Sequence, residues 1–298
     1  MHRITSIGEL LFDVYPEGKK PGGAPFNFIY HIRKITGQGN FISRIGTDEY
    51  GREMIGFLRK NRIPLKFIQI DEMHPTGFAK PVLNENKVPY WFIAENSAYD
   101  FIKADESIMN LINKDTDCLY FGTLAQRHVI SRSTIRILFN KPVKYFCDLN
   151  LRQNFYNDEI LDSSLKAADI LKLNEDEFQI ISERLLNPAD DTDRIAESLL
   201  QAYKIELLCI TKGEKGSVIY TKTEKNETFQ ELEKPVDTVG AGDAFAAVLC
   251  LGYLKGLKIS DINELASGFA AEIVQINGAL PADDKIYNSI KKDFADAS

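Results

Sequence analysis

Apolar runs and amphipathic stretches alternate along most of the chain. From about residue 105 onward, nearly continuous apolar runs such as DCLYFGTL are each followed by segments with apolar residues at helical spacing. Strands buried on both faces give continuous apolar runs, and the helices between parallel strands cover those faces. The pattern therefore predicts an α/β fold: a mainly parallel central sheet with helices on both faces.

The individual elements follow from the same pattern. Strands are predicted at RITSIGELLFDVY, NFISRIG, LKFIQI, DCLYFGTL, VKYFCDLN, DILKLN and IELLCITKG, and an antiparallel pair at GSVIYTKTEKNETFQELEK. Helices are predicted at APFNFIYHIRKITG, TDEYGREMIGFLRKNR, DESIMNLIN, SRSTIRILFN, NDEILDSSLKAA, EDEFQIISERLL, DDTDRIAESLLQAY, 241–255 and DINELASGFAAEIVQIN, with a short helix at the end.

A different pattern covers residues 76–93. Two β-like runs flank the polar turn Asn84-Glu85-Asn86-Lys87, which predicts a hairpin. Tyr90, Trp91 and Phe92 are consecutive, so both faces of the second strand carry large rings. Because no repeat or linker interrupts the chain, we expect residues 1–298 to form one α/β domain with a small β appendage.

Charge and composition exclude several partners. The net charge is -7 with no basic stripe, which argues against a nucleic-acid surface. No apolar run is long enough for a membrane span or a secretory leader, so we expect a cytoplasmic protein without a membrane partner. The four widely spaced cysteines indicate buried core residues in a reducing compartment rather than a zinc site.

The segment GAGD, Gly240 to Asp243, directly precedes an apolar helical pattern. A helix start offers unpaired N–H groups and a partial positive charge, and glycines let an anion approach them. The negative charge of Asp243 would repel a phosphate bound at this helix start. The conflict is removed if the Asp243 carboxylate faces a second reactant and accepts a proton from its hydroxyl. An ordinary loop–helix junction explains the segment equally well, and it is neither a Walker A loop nor GxGxxG.

Together with other motifs, this segment resembles the ribokinase (PfkB) family of sugar kinases, and most of all its fructokinase-like branch. The resemblance rests on GELLFDVYP, PGGAPFN, GTDEYG, DLNLR, KLNEDE, TKGEKGS and Asp237-Thr238-Val239-Gly240-Ala241-Gly242-Asp243. It implies a ribokinase-like fold, an ATP- and Mg²⁺-dependent sugar kinase, and a small β lid formed by about 10–22 and 76–100. Lid strands also join two subunits in many relatives, which makes a homodimer through the lid an expectation.

The same resemblance assigns roles on the sugar side. Asp243 would be the catalytic base, and Gly240, Ala241 and Gly242 would form the anion hole. Sugar hydroxyls would be bound by Asp13, Gly23 and Asn27. From the residues alone, a solvated acid at a strand end is the favoured interpretation of Asp13, and a helix-surface amide is the favoured interpretation of Asn27. Arg152 would contact the phosphates or the sugar, or form a structural ion pair with Asp148 or a neighbour.

On the nucleotide side the resemblance implies a second set of residues. Asn174 and Glu177 match an N-x-x-E motif linked to Mg²⁺, Glu177 indirectly through water, although an N-capping Asn with first-turn acids explains them too. Thr211, Gly213 and Gly216 would border the nucleotide, or simply form a hairpin turn. Asn277 would contact the base of the nucleotide, or it would end its helix before Gly278. Asp237 matches the place where many relatives hold a monovalent cation, often K⁺.

The acceptor is predicted to be a neutral sugar, with fructose first. Fructokinase-like relatives often carry an Arg soon after the lid aromatics, but here FIAENSAYD contains no basic residue. The missing cation disfavours a substrate with a carboxylate or phosphate. Other acceptors (2-keto-3-deoxygluconate, ribose or a nucleoside) and a catalytically silent sugar- or nucleotide-binding sensor stay open as alternatives.

Overall fold

A computed structural model describes residues 2–83, 89–185, 191–229 and 235–296. The strands are β1 (Ile4–Ile7), β2 (Leu11–Tyr15), β3 (Gly18–Gly22), β4 (Asn40–Gly46), β5 (Ile68–Asp71), β6 (Gly77–Leu83), β7 (Pro89–Ile93), β8 (Cys118–Phe121), β9 (Lys144–Asp148), β10 (Ile170–Asn174), β11 (Leu207–Thr211), β12 (Ser217–Thr221) and β13 (Lys225–Thr228). The helices are α1 (Ala24–Thr36), α2 (Glu49–Lys60), α3 (Glu106–Asp115), α4 (Val129–Leu138), α5 (Asp158–Ala167), α6 (Glu175–Leu185), α7 (Thr192–Tyr203), α8 (Ala241–Lys255), α9 (Ile259–Ile273) and α10 (Tyr287–Asp296).

Across these residues, a nine-stranded sheet forms the centre of the molecule, in the order β13-β12-β11-β10-β9-β8-β1-β4-β5. The pairs from β11 through β5 are parallel, whereas β12 and β13 add on antiparallel at one edge. This confirms the predicted mainly parallel sheet and places the carboxyl ends of its parallel strands along one side.

Both faces of the sheet are covered. Helices α1, α2, α8, α9 and α10 pack on one face, and α3 to α7 pack on the other. Within β8, Cys118 and Tyr120 join the first layer while Leu119 and Phe121 join the second. Strand side chains alternate between faces, so burial on both faces requires the uninterrupted apolar runs seen in the sequence.

Helix α8 lies in the core of the first layer. Its residues from Ala244 to Gly252 are all buried, which is the pattern of a helix surrounded by protein. Gly252 permits close packing on α9, since a Cβ there would lie 2.8 Å from Ile262 Cγ1. The start of α8 is therefore held in a fixed position at the carboxyl ends of the strands.

The first predicted strand is in fact two. β1 lies in the central sheet, and β2 lies in a separate sheet. The chain changes direction at Gly8, which has φ 153°, and a Cβ there would lie 2.5 Å from Pro25 Cγ. This close approach of two chain segments is not visible in the alternation of apolar residues.

A second, four-stranded sheet has the order β3-β2-β6-β7, and its strands come from the two segments predicted to form the lid, so it is called the lid below. β2 pairs antiparallel with β3 and parallel with β6, and β6 pairs antiparallel with β7. The predicted turn at 84–87 lies outside the described residues. Tyr90, Trp91 and Phe92 are 45%, 37% and 38% exposed, so large rings do occupy both faces of β7.

The remaining elements agree with the pattern except at their ends. α9 ends at Ile273, four residues before Asn277, so the idea that Asn277 ends this helix is wrong. The four cysteines are buried and free, as predicted. Among the described helices, none combines the length and the apolar character needed to cross a membrane.

Candidate active site

A cavity of about 430 Å³ opens between the lid and the carboxyl ends of the central strands. Lid residues such as Asp13 and Trp91 form one wall, and the start of α8 forms the floor together with Asp148 and Lys172. The cavity thus lies where open parallel sheets commonly bind ligands.

The start of α8 has the geometry of an anion site. Gly240 has φ 82°, and a Cβ there would lie 2.3 Å from Ala279 Cβ, so only glycine fits. Among the described residues, the Gly242 amide has no hydrogen-bond acceptor, and the Ala241 amide makes only a long contact of 3.4 Å with the Thr238 carbonyl. The Asp243 amide already donates to the Gly240 carbonyl at 3.1 Å. Two amides, those of Ala241 and Gly242, are thus available to an anion.

Asp243 lies beside these amides, half-buried and lining the cavity. Asn27 Nδ2 donates to Asp243 Oδ2 at 2.8 Å, and Asn27 itself is buried on α1. Burial raises the pKa of Asp243 to about 7, against the opposing effect of the Asn27 hydrogen bond. A carboxylate with a pKa near neutrality is suited to act as a general base.

Two glycines let the chain pass close to two further acids. A Cβ on Gly22 would lie 2.4 Å from Asp13 Oδ2, and one on Gly23, which has φ 109°, would lie 2.4 Å from the Glu9 carbonyl. Burial raises the pKa of Asp13 to about 6, while Arg152 lowers it. Asp13 is therefore enclosed in the cavity wall and is not a solvated acid at a strand end.

Glu9 is a cavity residue to which the sequence interpretation assigned no role. Its side chain is 2% exposed, and its Oε2 has no hydrogen-bond partner among the described residues. Burial raises the pKa of Glu9 to about 7. Its only signal in the sequence is an acid inside the apolar run SIGELLF.

Asn174 and Glu177 form a reciprocal cap at the start of α6. Asn174 Oδ1 accepts from the Glu177 amide, and Glu177 Oε2 accepts from the Asn174 amide, both at 2.9 Å. Glu177 Oε1 also accepts from the Leu151 amide at 2.7 Å. The capping interpretation is thus correct, and both side chains also line the cavity.

The turn after β11 is a hairpin into β12. Thr211 lines the cavity, whereas Gly213 (φ 58°) and Gly216 (φ 89°) shape the turn beside it. A Cβ on Gly216 would lie 1.8 Å from the Thr228 carbonyl oxygen, so packing as well as φ requires glycine.

Asp237 joins two loops next to the anion site. Its Oδ1 accepts from the Val239 amide at 3.0 Å, and its Oδ2 accepts from the Gly278 amide at 2.9 Å. The neighbouring Asn277 accepts from Lys20 Nζ, which comes from lid strand β3. The loop that carries Asn277, which is predicted to contact the nucleotide base, is thus tied to the lid.

Of the residues predicted for the site, ten line this one cavity: Asp13, Gly23, Asn27, Arg152, Asn174, Glu177, Thr211, Gly240, Gly242 and Asp243. Ala241, Gly213, Gly216, Asp237 and Asn277 stand outside the lining among the described residues.

The basic residues are arranged differently from expectation. Asp148 pairs with Lys172 at 3.0 Å, so the predicted ion pair between Arg152 and Asp148 is wrong as a prediction. Arg152 is exposed and lines the cavity instead. Arg127 packs against the segment after the lid aromatics, where Nε donates to Asp100 Oδ1 at 2.8 Å. Its charge is thereby matched within the fold.

Comparison with known proteins agrees with this geometry. The sequence matches the pfkB family carbohydrate kinase over residues 2–285. Fructokinase from Escherichia coli is 27% identical, with 94% of this chain and 95% of the relative covered.

Solved structures share the whole fold. The uncharacterized sugar kinase PH1459 from Pyrococcus horikoshii, in complex with ATP, has a TM-score of 0.78 at 26% identity over 93% of both chains. A double mutant of fructokinase from Vibrio cholerae O395, in a form with bound fructose, ADP and potassium ion, has a TM-score of 0.80 at 22% identity, covering 100% of this chain and 99% of that chain. The predicted ribokinase-like fold is confirmed.

The match extends over nearly the whole chain, and the cavity lies at the start of α8 where the family motif stands. This chain belongs to the pfkB family of carbohydrate kinases, ATP-binding phosphotransferases that act on an alcohol group.

Proposed function

We propose that this sugar kinase transfers the γ-phosphoryl group of ATP to a hydroxyl of a neutral ketose, with fructose as the first candidate. The observation that carries the proposal is the Asp243 carboxylate at the floor of the cavity, 2.8 Å from Asn27 Nδ2 and next to the free amides of α8. The fructokinase relative supports the choice of fructose.

The charges on the sugar side favour a neutral acceptor. Glu9, Asp13 and Asp243 all line this part of the cavity. A carboxylate or phosphate on the acceptor would be repelled by these acids once they ionise. Asn27 Oδ1 is buried without a partner among the described residues, so it is available to accept a hydrogen bond from a sugar hydroxyl.

In this proposal each group has a distinct task. Asp243 takes the proton of the attacking hydroxyl, while the amides of Ala241 and Gly242 bind the phosphoryl oxygens. Asp13, Gly23 and Asn27 position the sugar, and Arg152 contacts either the sugar or the phosphates. The nucleotide lies along Asn174, Thr211, Gly213, Gly216 and Asn277.

The residues also fit a magnesium ion held mainly by the nucleotide. In the described part of the chain, no three His, Cys, Asp or Glu side chains converge on a metal position. Glu177 and Asn174 supply oxygen atoms at the cavity, which suits Mg²⁺ bound through water and phosphate. When bound, the ion would neutralise phosphate charge. A monovalent cation such as K⁺ is proposed near Asp237, where two loops meet.

A panel of acceptors tests the proposal. Fructose, ribose, 2-keto-3-deoxygluconate and a nucleoside are compared by kcat/KM in a coupled assay of ADP release. We expect the highest value for fructose. A higher value for another acceptor would assign that substrate instead, and ligand binding without any phosphate transfer would favour the sensor.

We also propose that a second copy of the chain packs against the lid. β7 is an edge strand of the lid sheet. The apolar side chains of Leu83, Tyr90 and Phe92 on the lid are 65%, 45% and 38% exposed. Exposed apolar side chains on an edge strand and on the strand beside it favour pairing with another chain.

A further inference from the structure

Lys172 is a charged residue in a strand that is otherwise apolar and buried. On β10, its neighbours Leu171 and Leu173 are fully buried, and Lys172 is 6% exposed. Its Nζ donates to both carboxylate oxygens of Asp148 at 3.0 Å, and the Tyr120 hydroxyl donates to Asp148 Oδ2 at 3.1 Å. Burying an ion pair costs desolvation energy that apolar residues of similar volume avoid, so stability does not require this pair.

The ammonium group lies under the turn that starts α8. Lys172 lines the cavity, and a Cβ on Gly242 would lie 3.6 Å from its Nζ. Glycine at position 242 therefore leaves the ammonium uncovered on the side of the free amides. Among the described residues, Nζ donates two hydrogen bonds, both to Asp148, which leaves a third N–H for a ligand.

The charge of Lys172 acts on both sides of the reaction centre. Burial raises the pKa of Asp243, and the positive charge of Lys172 lowers this pKa. Burial also raises the pKa of Glu177, which Lys172 again opposes. The ammonium thus lies within electrostatic reach of both the proposed base and the acid at the start of α6.

We propose that Lys172 is a catalytic residue that donates a hydrogen bond to a non-bridging oxygen of the γ-phosphoryl group during transfer. This rests on the proposed role of Asp243 and the α8 amides. The acceptor oxygen forms the new bond to phosphorus, and the bond to the β,γ-bridging oxygen breaks, so ADP leaves with the electron pair. The hydroxyl proton goes to Asp243, and Lys172 keeps its own proton throughout.

Lys172→Met and the double variant Lys172→Met/Asp148→Asn test this role. The single variant leaves Asp148 buried without its cation and is at risk of misfolding. The double variant removes both charges and leaves no unpaired charge in the core. A loss of activity in this variant therefore reports a contact between Lys172 and phosphate, and not the need to neutralise Asp148. Lys144→Met is the matched control, because Lys144 begins β9 at the opposite end of the strand and pairs with Glu206.

We expect kcat of the double variant to fall by about 10²–10³-fold, the effect of losing one donor to developing charge. Lys144→Met should keep the activity of the wild type. A double variant with kcat within about tenfold of the wild type would show that the pair is only structural, since such a loss is below that of one such donor.

A second measurement does not depend on the acceptor. Aluminium fluoride with ADP mimics the phosphoryl group in transfer, and calorimetry with Mg²⁺ compares the affinity for ADP with and without it. We expect the double variant to lose the gain in affinity from fluoride while its affinity for ADP alone is kept. An equal gain in both proteins would overturn the role of Lys172. Absence of fructose phosphorylation by the wild type would instead count against the proposed function.

Discussion

At the scale of single residues, burial raises the pKa of three acids in the cavity. Glu9 and Asp243 both have a pKa of about 7, and Asp13 has a pKa of about 6, in each case because burial disfavours the charged form. Asp243 can therefore both accept and release a proton near neutral pH. The consequences are measurable in turnover and in stability.

Asp243→Asn should keep the fold and lose turnover. Removal of a general base costs about 10²–10⁴-fold in rate, since the hydroxyl must then lose its proton without help. The coupled ADP-release assay measures the loss, and circular dichroism checks the fold. Asp261→Asn, an exposed acid in the first turn of α9, is the control and should be fully active. Near-normal turnover in Asp243→Asn would remove Asp243 as the base.

The pH profile of kcat/KM should rise to a plateau above about pH 7, because only ionised Asp243 accepts a proton. Asp243→Asn should abolish this limb in whatever activity remains. A profile that is flat between about pH 5 and about pH 8 in the wild type would contradict this assignment.

The same pKa predicts a change in stability with a definite sign. The folded pKa of Asp243 lies above its ordinary value of 3.8, so its ionisation destabilises the fold as pH rises towards about 7. Asp243→Asn avoids this cost. Thermal melts should therefore show a Tm difference in favour of the variant that widens from about pH 4 to about pH 7 and is constant above that. A constant difference would mean that Asp243 does not titrate in this range.

At the scale of elements, contacts across the cavity connect the lid to the body. Lys20 on β3 donates to Asn277, and Gln153 donates to the Trp91 carbonyl on β7. Within the lid itself, Tyr15 on β2 and Trp91 on β7 pack edge to face, with ring centroids 5.5 Å apart. In the proposed reaction, a lid held in this way would exclude water from the phosphoryl group.

Trp91→Ala should raise KM for the sugar and increase ATP hydrolysis in the absence of an acceptor. The indole lines the cavity, so its removal opens the lid side to water. Both quantities come from the ADP-release assay, run with and without sugar. Trp91→Phe keeps a ring at this place and should lie closer to the wild type. If alanine changes neither quantity, Trp91 has no part in closing the site.

At the scale of the whole molecule, the exposed apolar side chains of the lid predict a dimer. Sedimentation velocity should give twice the mass of the chain at micromolar concentration. Phe92→Lys should shift the protein towards the monomer, because a charge at an apolar contact costs desolvation. Lys222→Glu, on the far edge of the central sheet, is the control. A monomeric wild type would exclude the lid as a stable interface.

Much of the fold follows from local patterns. Continuous apolar runs identified the parallel strands, and acids at helix starts marked helices such as α2, which Asp48 caps by accepting from the Gly51 amide. That residues 1–298 form one domain stays a prediction. Only the site residues that belong to sequence motifs could be predicted. Glycines and an acid at a helix start indicate an anion site and a base, and this does not depend on where the helix lies in the fold.

The sequence by itself determined the period of each element and the family motifs, because both depend on residues close together along the chain. Only the tertiary structure decided which side chains meet. Asn27 and Asp243 are 216 residues apart, and Asp148 and Lys172 come from neighbouring strands. Glu9 and Lys172 each interrupt an apolar run in the sequence. Packing between distant segments places both residues in the cavity, and no local period encodes that packing.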